Sequence, residues 1–93
     1  MVMEQGDRPI PNRLRMHRKL MGFKQKQVAK LLGLHDTKPL SLWEKGLAMP
    51  SSVNLIKLSI IYRTYPNELY FELFIELKKE ISGLELQQFS EYE

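Results

Sequence analysis

The chain has 93 residues, no cysteine and a formal net charge of +3. A length like this supports one small domain, with a core that depends on good helix packing or on a partner subunit. The missing cysteines exclude disulfides, thiolate metal sites and thiol catalysis and fit a reducing, cytoplasmic setting, and no apolar run approaches the roughly 18–20 residues of a membrane span.

Residues 1–11, "MVMEQGDRPIP", read as a flexible basic arm, because Gly6, Pro9 and Pro11 oppose regular structure. Nothing there has the apolar centre of a signal peptide. Asn12 is the expected N-cap of a first helix that runs to about Met21 and is closed by Gly22. Leu14, His17 and Met21 share a face of it, surrounded by Arg13, Arg15, Arg18 and Lys19. The spacing of Val28, Leu31 and Leu32 predicts a second helix over residues 24–32 with a buried stripe, stopped by Gly33.

A third, short helix is expected to start with Pro39 in its first turn and to end at Gly46. The residue before a proline resists helical angles, so Lys38 is placed just outside it, with Asp36 or Thr37 satisfying the free amides. The fourth helix covers residues 51–62. Val53, Ile56 and Ile60 line one of its faces, and Leu55, Leu58 and Ile61 widen it. After the turn "RTYPN" a fifth helix is expected from Pro66 or Asn67 to about Ser82, ended by Gly83, with a short helix or frayed tail beyond. No repeat and no strand-length alternation is present, so the class is all-α.

Charge is divided along the chain. Residues 1–50 hold ten Lys/Arg against four Asp/Glu, and residues 51–93 hold four against seven. The basic half points to a polyanion on one side of the molecule. In the last helix Glu68, Glu72, Glu76 and Glu80 follow each other at i+4, while its apolar side chains spread over about 240°. One core uses little more than 100° of that arc. The surplus predicts a two-fold dimer through Tyr70, Phe71, Phe74 and Ile75, with folding back of Leu84, Leu86, Phe89 and Tyr92 as the other outcome.

Two helices joined by a tight glycine turn are a weak signal alone. The order of pieces from Leu14 to Leu69 is more specific: "HRKLMGFKQKQVAKLLGL", "LSLWEKG", "PSSVNLIKLSIIY" and "YPNELY". This run resembles the XRE family of phage-repressor-like and Cro-like helix-turn-helix domains. The resemblance implies a five-helix lambda-repressor-like domain over residues 12–69, followed by a dimerising C-terminal helix and tail over residues 66–93. It implies that Arg18 and Glu44 form a structural ion pair. It implies that Gln25, opening the second helix, contacts the DNA backbone; Lys24 and Lys26 on either side of it, and Lys45 at the end of the third helix, are assigned to phosphates as well. Ala29 and Trp43 are packing positions.

The span between Gly33 and Gly46 is one residue longer than the family pattern. Aligned backwards from Glu44, the base-facing positions fall on Thr37, Lys38, Ser41 and Leu42. Lys38 can donate to guanine in the major groove, and Leu42 can meet a thymine methyl. Arg8, Arg13 and Arg15 are candidates for a minor-groove or backbone contact by the arm.

His17 and His35 are isolated, with no second ligand at metal spacing. No nucleophile–base set or phosphate loop occurs, so no enzyme activity, metal or cofactor is expected. The expected partners are double-stranded DNA and a second copy, in a transcriptional repressor. Two alternatives carry the same fold: an antitoxin-type module that binds a partner protein through the last helix, and an adaptor that has lost DNA binding.

Overall fold

Six helices and no strand make up residues 8–89, the part of the chain that the computed structural model describes. They are α1 (Leu14–Leu20), α2 (Gln25–Leu32), α3 (Lys38–Glu44), α4 (Ser52–Ile61), α5 (Pro66–Leu69) and α6 (Phe71–Phe89). The first five close around one cluster of Leu14, Val28, Ala29, Leu32, Leu40, Trp43, Leu58, Tyr62, Leu69 and Tyr70. Fully burying a side chain such as Leu14, Leu40 or Leu58 contributes about 1.5–3 kcal/mol, which pins α1, α3 and α4 to the core.

Local chemistry sets the helix ends. Ser51 caps α4 by accepting from the Asn54 N–H at 3.2 Å. Asp36 accepts from the Lys38 N–H at 3.0 Å, which shapes the turn into α3. Lys38 is the first residue of α3, not the last one outside it: Thr37 holds the N-cap position without a side-chain bond, Asp36 takes the Lys38 N–H, and Pro39 fits the first turn. The N-cap of α1 is Arg13 rather than the expected Asn12, which lies one residue earlier and accepts from the Leu14 N–H at 3.0 Å.

Residues near the start are held more firmly than a loose arm over 1–11 would be. The Ile10 N–H donates to the Gly46 carbonyl at 2.8 Å, and Ile10 packs on the core. Asn12 Nδ2 donates to the carbonyls of Trp43 at 3.2 Å and Glu44 at 3.3 Å. Gly46 allows this approach: its φ is +77°, and a Cβ there would lie 2.5 Å from the Ile10 carbonyl oxygen. The expected flexibility of residues 1–7 lies outside the described residues.

One apolar face and one further residue, Leu31, are turned the other way from expectation, while Val28 and Leu32 of the α2 stripe are buried as expected. In α4 it is Leu58, with half-buried Leu55 and Ile61, that faces the core, while Val53, Ile56 and Ile60 are exposed. The helix is apolar almost all round, so periodicity could not choose between its faces. In α2, Leu31 is exposed and Ala29 takes the buried position.

The expected fifth helix is two helices. The chain leaves helical angles at Tyr70 (φ −123°, ψ 46°), and this bend puts both Leu69 and Tyr70 into the core. Tyr70 therefore cannot serve the dimer contact assigned to it. Burial pushes its phenol up to about 12. Beyond the bend α6 continues through Gly83 without stopping, and none of its residues is buried. It projects from the domain and gives the molecule extents of 54 × 28 × 20 Å.

Candidate nucleic-acid interface

The interface is built on a locked joint between α1, α2 and α3. Arg18 Nε donates to Glu44 Oε2 at 2.6 Å, and its Nη2 donates to Glu44 Oε1 at 3.1 Å. Arg18 Nη1 donates to the Phe23 carbonyl at 3.0 Å. Gln25 Nε2 adds a third bond to the same carboxylate at 3.0 Å. Burial, followed by the negative Glu44, raises the Tyr62 phenol well above its ordinary value while Arg18 pulls against this. Arg18, Gln25 and Glu44 form one hydrogen-bonded network that ties α1, α2 and α3 together.

That joint orients α3. Leu40 and Trp43 face the core. With 3.6 residues per turn, Lys38, Ser41, Leu42 and Lys45 fall within an outward arc of about 100°. Lys38, Leu42 and Lys45 are exposed, and Ser41 is half-buried at the edge of the arc. Thr37, also half-buried, precedes the first turn. The face thus carries two cations, a hydroxyl and an apolar side chain, which is a donor and methyl-contacting set suited to base edges.

The first turn of α2 lies alongside. The Gln27 N–H already donates to the Lys24 carbonyl, while the amides of Gln25 and Lys26 precede the first intrahelical bond and suit an anion. Gln27 Oε1 accepts from the Lys24 N–H at 2.8 Å, which fixes the start of the helix. Lys24, Lys26, Lys30, His35 and Thr37 line one groove between α2 and the turn into α3. Lys30 and His35 were missing from the sequence-derived set. The signal for Lys30 was its i+4 spacing from Lys26, which puts both on one face of α2. Gln25 has a partner that the sequence did not announce, because part of its amide is committed to Glu44.

Arg13 is not a free cation of the arm. Its Nη1 lies 2.8 Å from Glu68 Oε2 and its Nη2 2.7 Å from Glu72 Oε2, and its guanidinium stacks 4.5 Å from the centre of the Phe71 ring. One guanidinium is thereby shared between two carboxylates of the glutamate row. His17 Nε2 also lies 3.2 Å from Glu68 Oε2. Phe71 thus has one face covered, Ile75 is half-buried, and Phe74 is exposed.

A family model described as Helix-turn-helix matches residues 14–69, more than half of the chain. The chain belongs to the XRE family of helix-turn-helix domains. This match points to a DNA-binding regulator of XRE type, and the all-helical architecture agrees with the lambda-repressor-like arrangement. Comparisons with curated proteins and with solved structures give no match. Domains of the XRE family are typically non-enzymatic, and among the described residues no group of three His, Asp or Glu could hold a metal ion. No helix among the described residues is long and apolar enough to cross a membrane.

Proposed function

We propose that this XRE-family chain is a cytoplasmic, sequence-specific double-stranded DNA-binding regulator that represses by occupying its operator as a homodimer. The observation that carries the reading is the outward face of α3, with Lys38, Ser41, Leu42 and Lys45 beside the lysine-lined start of α2. Thr37, Lys38, Ser41 and Leu42 read bases. Lys24, Gln25, Lys26 and Lys45 hold phosphates, joined by Lys30. Selection of bound sites from random duplexes, followed by binding between about 50 and 200 mM salt, tests this. A recovered two-fold motif and a steep loss of affinity with salt support it. Equal, weak binding to every duplex overturns it.

The dimer rests on α6. Phe74, Leu77, Ile81 and Leu84 follow a 3-4-3 spacing and are all exposed, which is the a/d seam of a helix pair. A two-fold pair would present two recognition helices to half-sites about one helical turn apart. The exposed seam also favours a second reading, an antitoxin-type module whose α6 is covered by a different protein. Equilibrium sedimentation of the purified chain separates the two: a dimer at micromolar concentration supports the first, and a strict monomer sinks it.

A further inference from the structure

The direction in which α6 leaves the domain is set at its root, where half-buried Leu73 packs on the core. No α6 residue is buried, and the chain bends at Tyr70 just before it begins. A helix of 19 residues is about 28 Å long, so a 10° error at its root moves its far end by about 5 Å. That exceeds the 3.4 Å rise of one base pair. A dimer joined through such rods reads a defined half-site spacing only if the bend is held.

Arg13 grips both sides of that bend. Its backbone N–H donates to the Leu69 carbonyl at 2.7 Å, at the end of α5. Its guanidinium reaches Glu68 of α5 at 2.8 Å and Glu72 of α6 at 2.7 Å, and it lies over the Phe71 ring between them. A planar fork can engage two carboxylates while stacking on a ring; a lysine ammonium cannot. The preceding residue, Asn12, donates to the Trp43 and Glu44 carbonyls at the end of α3. One peptide bond therefore joins the residue that touches the recognition helix to the residue that holds the root of α6.

We propose that Arg13 is a positioning residue that sets the direction of α6 relative to α3, and through it the half-site spacing the dimer accepts. The spacing role rests on the dimeric reading above; the clamp itself does not.

The chain has no cysteine, so Leu31→Cys on α2 and Gln87→Cys on α6 give one spin-label pair. Labelled full-length chains are diluted into unlabelled ones, so that only the intrachain distance is read. The expected result is a narrow distribution that Arg13→Gln broadens or shifts by about 5 Å or more. Glu72→Gln, which loosens the same clamp from an exposed site, acts in the same direction. Arg15→Gln, two residues on and equally charged, leaves the distribution unchanged. In selections against duplexes with varied spacers, Arg13→Gln accepts several spacings with the half-site preference intact, and the parent chain accepts one. An unchanged distance in both clamp variants overturns the proposal, as does an unchanged spacing preference. A parent chain that binds single half-sites as a monomer overturns the dimeric reading and the spacing role with it; the intrachain distance, which needs no dimer, tells that failure from a failure of the clamp.

Discussion

Arg18 and Glu44 stand 26 positions apart in the chain and meet at 2.6 Å, with side chains only 10% and 5% exposed. Removing one member leaves a buried charge without its partner, which costs about 3–5 kcal/mol. Glu44→Ala is therefore expected to destabilise the domain by that amount in urea denaturation. It also frees Gln25 and the end of α3, so DNA affinity should fall at temperatures where the variant remains folded. A loss below about 1 kcal/mol, the scale of an exposed pair, would contradict the role given to this joint.

Lysines on α2 and on α3 are expected to behave differently. Lys24→Ala and Lys26→Ala each weaken binding to every duplex and flatten the log–log salt slope by about 0.9. Lys38→Ala relaxes preference at one position per half-site, by about 1–3 kcal/mol. Titrations of matched and single-mismatch duplexes over a salt series check both.

Gly46 and Gly33 both have positive φ, +77° and +74°, yet substitution should separate them. A Cβ at Gly33 meets nothing within 4 Å, so Gly33→Ala costs only the left-handed strain, about 1–2 kcal/mol. A Cβ at Gly46 would strike the Ile10 backbone at 2.5 Å, so Gly46→Ala must also displace that segment. Thermal unfolding should show Gly46→Ala as the more damaging variant by a clear margin.

Acid should dissolve the Arg13 clamp. Hydrogen bonds from Arg13 hold the Glu72 carboxyl below the ordinary carboxylate range; for Glu68 the His17 ring comes first and Arg13 second. Carboxylates depressed in this way stabilise the native state above their unfolded value, about 4.3 for Glu, and lose the contribution as pH falls through the lower folded value. The stability deficit of Arg13→Gln is thus expected at pH 5–7 and should shrink below about pH 4. Urea midpoints at four pH values between 7 and 3 measure it.

A charge in the α6 seam should separate the copies. Ile81 is 53% exposed and contributes to no core, so Ile81→Asp is expected to leave monomer stability within about 0.5 kcal/mol while abolishing the dimer. Sedimentation and a melting curve on one sample read both.

Spacing made the joint legible in the sequence. The Arg18–Glu44 pair and the positions of Lys38, Ser41 and Leu42 come from the resemblance to the XRE pattern, and the buried Trp43 from its spacing; the structure pairs the first two and turns Lys38 and Leu42 outward, because a short helix with two anchors has one way to face. Other parts were hidden for definite reasons. Apolar residues surround α4, so its pattern named no inner face, and Val53, Ile56 and Ile60 turned outward. The bend at Tyr70 interrupts a stretch that reads as continuous helix, and what decides it is tertiary: two neighbouring side chains enter one core. Arg13 looked like one more cation of a basic arm because its partners lie 55 and 59 positions away.

The fastening of Ile10 and Asn12 to the end of α3 decides where the folding unit has to begin. The span that matches the family starts at Leu14 and stops at Leu69. A fragment cut to those limits would lose the donors to the Glu44 and Gly46 carbonyls at one end and the Tyr70 plug at the other. A fragment of residues 14–69 is therefore expected to melt below one that runs from Ile10 through Tyr70.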